Sequence, residues 1–226
     1  MSRRPVTMHP KQAGLSLVEL MIGLALGLFV TVVMLALVTG HLRENRSLLL
    51  EARLTHDLHA AAELVARDLR RAGYWAAAER GIAAPTGPAP RINPYTEMTP
   101  STSALSFRFS RDAVENHQVD DDDQFGFRLH DAALQMQLGA GNWQSLTDAT
   151  ALVVTRFSLT PQNAELPLGQ FCAKPCPPST AGCPTQQIRR VVVDIAARST
   201  SDAQVERSVR SEVRLRNDVV VGACPA

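Results

Sequence analysis

The sequence has almost no lysine and no excess of either charge. Lys11 and Lys174 are its only lysines, and the 226 residues carry a formal net charge of +1 at pH 7. Proteins that bind nucleic acid or acidic lipid through bulk electrostatics carry a strongly basic surface. The near-neutral balance therefore predicts no nucleic-acid partner.

Common catalytic motifs are also missing. The chain contains no G-x-S-x-G, no H-E-x-x-H, no P-loop and no dinucleotide-binding glycine pattern, and its six histidines are scattered. These motifs supply the nucleophile, the metal ligands or the phosphate cradle of the commonest enzyme classes. Their absence predicts that the protein is not an enzyme and needs no cofactor.

Cysteine is absent until the last third of the chain. An even number of cysteines, three of them in a Pro-rich loop, indicates two disulfides in an oxidising compartment and hence a domain outside the cytoplasm. A four-thiolate zinc site is the alternative, although tight C-x2-C spacings are missing. The pairing is open, because four cysteines allow three connectivities. The residues concerned are Cys172, Cys176, Cys183 and Cys224.

One long apolar run stands near the N-terminus. Residues 15–38 read LSLVELMIGLALGLFVTVVMLALV, in which Ser16, Glu19 and Thr31 are the polar exceptions. As a helix this run is long enough to cross about 30 Å of hydrocarbon. A cleaved secretory signal peptide is the alternative, but its apolar region spans only about 7–15 residues and carries no acid. The run therefore predicts a transmembrane helix.

The start of this run resembles a known export signal. A basic leader, residues 1–14, ends in Gly14, and Glu19 follows five residues later inside the apolar stretch. This arrangement resembles the class III signal of type IV prepilins and of type II secretion pseudopilins. The resemblance implies cleavage by prepilin peptidase between Gly14 and Leu15, with N-methylation of Leu15. Family members usually have phenylalanine at this first mature position, where this chain has leucine.

The resemblance also implies a physical role for Glu19. A carboxylate in hydrocarbon is costly and needs a partner. In a filament, the amino terminus that cleavage creates on Leu15 of a neighbouring subunit is such a partner, and pairing fixes the axial register of the helices. A glutamate that snorkels to the headgroups is the alternative. Ala36 stands where major pilins often have a helix-breaking proline, which predicts an unbroken helix.

The helical pattern continues beyond the membrane. Apolar residues at steps of three or four form one stripe among charged neighbours, and Gly73 is a natural stop. We therefore expect a helix over 15–73, with 15–38 in the membrane and an amphipathic half docked on a sheet. The stripe consists of Leu50, Leu54, Leu58, Ala61, Val65, Leu69 and Ala72.

Residues 74–226 are predicted to form a β domain outside the cytoplasm. After a Pro-rich connection, alternating stretches predict strands, and the last two read as a hairpin. A long helix on an antiparallel β-sheet is an α+β fold, and it is also the type IV pilin architecture. DLRRAGY at 68–74 and VRLRND at 213–218 resemble segments of PilW-type minor pilins. The predicted strands are 104–109, 124–130, 133–138, 151–159, 188–198 and 205–216.

A run of four aspartates, Asp120 to Asp123, is the most conspicuous charge cluster. Carboxylates bind calcium, but the run does not fit the spacing of an EF-hand loop. A solvated turn between strands is the favoured interpretation, because like charges normally lie in water. We predict no metal site.

Taken together, the sequence is identified as a minor pilin of the PilW type, which initiates or primes assembly of the type IV pilus. A J-type pseudopilin of type II secretion shares every motif, and a membrane-anchored periplasmic binding domain is a more distant alternative. The resemblance implies a single-pass inner-membrane protein with a periplasmic domain that enters the pilus. Its implied partners are other minor and major pilins, prepilin peptidase, the assembly platform and, before assembly, membrane lipid.

Overall fold

The structure is a computed structural model that describes residue 14 and residues 16–81, 91–177 and 182–225. The chain divides into two compact units, the first ending at Leu48 and the second beginning at Leu49. One long helix, α1 (Leu17–Leu69), supplies residues to both.

In the first unit, α1 leaves its large apolar side chains exposed. Between Leu17 and Val38 these side chains are 42–75% exposed. The hydroxyl of Thr31 donates to the carbonyl of Gly27 at 2.8 Å, so this polar group is satisfied inside the helix. Such internal pairing is what a helix in hydrocarbon requires. Ala36 lies within the unbroken helix, as its identity predicts.

The second unit contains two antiparallel sheets. The first has the order β1-β2-β3-β4-β5, and the second has the order β6-β7-β8 with β9 also paired to β7. The strands are β1 (Met98–Pro100), β2 (Ala104–Arg108), β3 (Gln124–His130), β4 (Ala133–Leu138), β5 (Trp143–Ser145), β6 (Leu152–Pro167), β7 (Thr185–Ser199), β8 (Glu206–Arg214) and β9 (Val219–Val221).

The amphipathic part of α1 packs on these sheets. Leu58, Val65 and Leu69 are at most 1% exposed and join one core with the inward side chains of both sheets. Burying each such side chain contributes about 1.5–3 kcal/mol. The predicted stripe is therefore confirmed as the core face, and the predicted α+β, pilin-like fold is confirmed with it.

The structure also differs from the expected elements. The apolar inner faces are divided between two sheets instead of one, and β6 runs eight residues past its predicted end at 159 because it stays paired with β7 as far as Pro167. The predicted final hairpin is confirmed as β7 and β8. Helix α1 ends at Leu69, and residues 70–73 form a turn.

Candidate functional site

The N-terminal segment places its motif residues at the start of α1. Gly14 is exposed, while residues 1–13 of the predicted leader and Leu15, the predicted first mature residue, lie outside the described residues. The carbonyl of Ser16 accepts from the amides of Glu19 and Leu20 at 3.0 and 3.1 Å, which closes the first turn of the helix. The predicted cleavage point thus immediately precedes the helix.

Glu19 is an exposed carboxylate in this first turn. A negative charge at a helix N-terminus gains about 0.3–1 kcal/mol from the helix dipole. That gain is smaller than the penalty of about 2.5–3.5 kcal/mol for a charge in the middle of a membrane. The dipole alone therefore does not account for an acid in this apolar segment.

Helix α1 is the one described helix that is long and apolar enough to cross a membrane. Its apolar residues in the first unit surround the helix on all sides, which is typical of a membrane span or a helix buried by partners.

The four cysteines form two disulfides. Cys172 pairs with Cys224, and Cys176 pairs with Cys183. The prediction of two disulfides is confirmed, and the pairing that the sequence left open is defined. With all four thiols used, the alternative zinc site has no ligands among them.

The aspartate run is only partly a solvated turn. Asp121 and Asp122 are exposed, whereas Asp123 is fully buried. The Asp123 carboxylate accepts from the backbone amides of Arg111 at 2.8 Å and Asp120 at 3.0 Å. Burial raises the pKa of Asp123, although these two hydrogen bonds act in the opposite direction. Its main role is to hold the loop that leads into β3.

Asp123 also lies close to two other acids. Single oxygen atoms of Asp112, Asp120 and Asp123 lie within 4.8 Å of one another. The side-chain amide of Asn116 donates to the Asp120 carboxylate at 2.7 Å, and its backbone amide donates to the Asp112 carboxylate at 3.2 Å. Neighbouring amides thus donate hydrogen bonds to several of the carboxylate oxygens in this cluster.

A buried arginine, which the sequence analysis did not single out, links the turn after α1 to β7. Arg189 donates to the carbonyls of Thr96 at 2.8 Å and Asn217 at 2.7 Å, and Asn217 donates to the carbonyl of Ala72 at 3.1 Å. Burial lowers the pKa of Arg189, and the carboxylate of Asp218 opposes that shift.

Gly73 completes this junction. Its φ is +74°, a conformation that L side chains rarely adopt, and a Cβ there would lie 2.5 Å from Nη2 of Arg189. Gly73 therefore lies in the turn after α1 and not at the helix end itself, and its backbone conformation favours glycine.

Glu115 links parts of the chain that follow Gly73. Its carboxylate accepts from the Tyr95 hydroxyl at 3.0 Å, the His117 amide at 2.9 Å and the Ala76 amide at 3.2 Å. Burial raises its pKa, but hydrogen bonds from His117, Tyr95 and Ala76 outweigh that effect, and the pKa of Glu115 is lowered.

A glycine followed by an apolar helix with an early glutamate, joined to a disulfide-bonded α+β domain, defines a prepilin-like protein. The prokaryotic N-terminal methylation motif matches residues 9–35. The family described as prepilin peptidase-dependent protein B matches residues 47–215. The chain belongs to this family, whose members are generally structural proteins without enzymatic activity. No curated protein and no solved structure matches the chain.

Membership has consequences for processing and location. A prepilin-like protein of this family depends on prepilin peptidase, which is therefore a partner of this chain. The apolar helix behind the methylation motif indicates an inner-membrane anchor with a periplasmic domain.

Proposed function

We propose that the protein is a minor pilin of the PilW type that initiates or primes assembly of the type IV pilus. Prepilin peptidase cleaves it between Gly14 and Leu15, and the new amino terminus of Leu15 is methylated. The mature chain leaves the inner membrane and joins other minor and major pilins through α1, with the help of the assembly platform. The proposed domain organisation is a leader at 1–14, an N-terminal segment over 15–73 that contains α1, and a pilin-like domain over 74–226.

The observation that carries this proposal is the placement of Glu19. The acid stands in the first turn of a helix whose neighbouring residues in the sequence are apolar, five residues after the exposed Gly14. Burying it unpaired is unfavourable, whereas pairing with a neighbour's amino terminus recovers the interaction. Glu19 therefore favours one docking position between adjacent helices.

Mass spectrometry of the intact protein tests the processing step. In cells with prepilin peptidase we expect a mature chain that begins at Leu15 and carries one added methyl group. In cells without the peptidase we expect the uncleaved chain. A mature chain that begins near His41, or an uncleaved chain in both strains, contradicts the proposal.

A gene deletion distinguishes the pilus from type II secretion. For a priming minor pilin, deletion lowers the number of surface pili and leaves secretion of folded exoproteins unchanged. Lost secretion with normal piliation assigns the protein to the J-type pseudopilins instead.

A further inference from the structure

The first sheet carries an aligned row of residues on its outer face. Their neighbours along β2 and β3 belong to the main core, and successive residues of a strand point to opposite faces, so the row points away from that core. The strand pairing places each member of the row directly opposite the next. From β1 to β5 the row consists of Thr99, Ser106, Gly126, Gln137 and Trp143.

Gly126 leaves a gap at the middle of this row. A Cβ at this position would lie 2.9 Å from the carbonyl oxygen of Leu105 and 3.2 Å from Oε1 of Gln137, so a larger residue would displace a neighbour. Glycine inside a strand often marks a place where a ligand approaches the backbone closely. A cavity of about 160 Å³ opens on the same face, and Ser106 and Gln137, the two residues that pair with Gly126, both line it.

Gln137 has an unused amide in this cavity. The residue is only 9% exposed, and among the residues that the structure describes its side chain has no hydrogen-bond partner. Buried amides are normally paired, because an unpaired one loses its hydrogen bonds to water without replacement. An apolar residue of similar shape would suit the fold at least as well. The donor and the acceptor of this amide are therefore available to a molecule bound in the cavity.

The other polar groups of the lining are uncharged or paired. The hydroxyls of Thr99 and Ser106 and the amide of Gln124 each donate and accept, and within the described part of the chain these side chains make no hydrogen bond. Glu97 and Arg108 complete the polar lining as an ion pair, with 2.6 Å between Oε2 and Nη1. The lining therefore has no net charge and several groups that both donate and accept.

This lining selects the chemistry of a ligand. An ion would need an uncompensated opposite charge, and an apolar molecule would leave the Gln137 amide unpaired. The hydroxyl groups of a sugar are uncharged, and each of them both donates and accepts a hydrogen bond. The cavity also has about the volume of one sugar ring. A neutral sugar therefore matches the cavity in charge, in hydrogen bonding and in size.

We propose that this cavity binds one unit of a neutral saccharide, with the Gln137 amide as its central polar contact. Trp143 stands opposite Gln137 in the row, and the Arg128 guanidinium lies 4.0 Å from the centroid of its ring, which holds the indole in place beside Gln137. The site lies in the second unit and does not depend on cleavage of the leader or on filament assembly. It can therefore fail while the proposed function holds, and the reverse.

An array of immobilised oligosaccharides tests this site. The full-length protein is purified in a detergent without a sugar headgroup, and the array carries chains that end in neutral hexoses, in N-acetylhexosamines, or in sialylated or sulfated units. We expect binding to chains with a neutral terminal unit. The free methyl glycoside of that unit should displace the protein from the array, because the cavity holds a single unit.

Gln137→Met removes the amide and keeps the shape of the side chain. We expect the affinity for the bound oligosaccharide to fall at least about tenfold, since the sugar loses its central hydrogen bonds. The denaturant midpoint should stay the same or rise, because an unpaired buried amide has been replaced by an apolar group. Ser106→Ala, on another strand of the lining, should also weaken binding.

Gln135→Met is the matched control. Gln135 lies on the same strand and the same face as Gln137, but its amide already accepts from Nε of Arg128 at 2.9 Å and does not line the cavity. We expect this variant to bind the oligosaccharide like wild type.

Several results would overturn the proposal. Binding to no chain on the array, or only to sialylated or sulfated chains, contradicts a neutral saccharide as the ligand. Failure of the methyl glycoside to compete contradicts a site for one unit. Equal losses of affinity for Gln137→Met and Gln135→Met, or a lower denaturant midpoint for Gln137→Met, would show that the Gln137 amide serves the sheet and not a ligand.

Discussion

The two units treat the same residue types in opposite ways. In the first unit, Leu24 and Leu28 are 59% and 60% exposed, whereas in the second Leu58 and Leu69 are buried by the sheets. The difference arises from their neighbours, because the second stretch alternates with charges and the first is apolar all round. Apolar surface therefore stabilises the fold in the second unit and remains exposed, as in a candidate membrane span, in the first.

The disulfides give the largest expected effect within the second unit. Cys172–Cys224 joins residues 52 apart, while Cys176–Cys183 joins residues 7 apart. Chain-entropy reasoning gives about 4 kcal/mol for the first and about 2.5 kcal/mol for the second. We expect Cys172→Ala with Cys224→Ala to lower the free energy of unfolding more than Cys176→Ala with Cys183→Ala. Chemical denaturation of both variants in detergent measures the difference, and equal losses contradict it.

Core truncation tests the comparison directly. Leu58→Ala removes a side chain that is 1% exposed, and we expect the free energy of unfolding to fall by about 3 kcal/mol. Leu28→Ala makes the same chemical change in the first unit and should leave unfolding of the domain unchanged. Denaturant midpoints for the two variants supply the test. Equal destabilisation by both would show that the units are not energetically separate.

The spacing of apolar residues predicted most elements of the second unit, because apolar side chains recur at the positions that a helix or strand buries. It indicated the helix stripe and six of the strands, but β1, β5 and β9 have three residues each and are too short to show a period. Arg189 was missed, since an arginine is usually assigned to the surface. Its spacing from Val191 and Val193 puts it on the inward face of β7, and this parity was the available signal.

Asp123 illustrates the same limit in the aspartate run. It is the last residue of the short 3-10 helix Asp121–Asp123 that precedes β3, and nothing in four identical letters marks one of them as buried. The N-terminal motif was readable for a different reason. Recognition of Gly14 and Glu19 depends on spacing in the sequence and not on tertiary packing.

Substitution of Glu115, whose carboxylate accepts hydrogen bonds from Tyr95, His117 and Ala76, should have a smaller effect on the free energy of unfolding, and this effect should depend on pH. Glu115→Gln weakens hydrogen bonds to a charged carboxylate, and we expect a loss of about 2 kcal/mol at neutral pH. Because the pKa of Glu115 is lowered in the folded state, its contribution is fully present above its ordinary value of 4.5 and disappears as the pH falls through the lowered value. The free energy of unfolding should be measured for wild type and Glu115→Gln at neutral and at acid pH. We expect the difference between them to become smaller in acid.

Asp123 supplies the contrast for that measurement. Its pKa is raised, so protonation in acid stabilises the folded state instead of destabilising it. Asp123→Asn should therefore not reproduce the acid dependence of Glu115→Gln. If the difference in free energy of unfolding between wild type and Glu115→Gln persists unchanged in acid, the charge of the carboxylate is not what stabilises the segment around Glu115.

The first unit should respond to substitution in assembly and not in stability. For Glu19→Val we expect normal membrane insertion, normal cleavage and an unchanged unfolding transition. The amount of the protein in sheared filaments should fall about tenfold, which corresponds to about 1.4 kcal/mol of docking free energy. Quantitative immunoblots of the membrane and filament fractions measure this ratio.

Thr31→Val is the matched control, because it also replaces a polar residue of the same helix with valine. The Thr31 hydroxyl is already satisfied by the carbonyl of Gly27 and has no need of a partner on another subunit. We therefore expect Thr31→Val to assemble like wild type. If Glu19→Val also assembles normally, the carboxylate does not pair with a neighbour's amino terminus. If both variants fail, the helix surface as a whole governs docking and Glu19 has no special role.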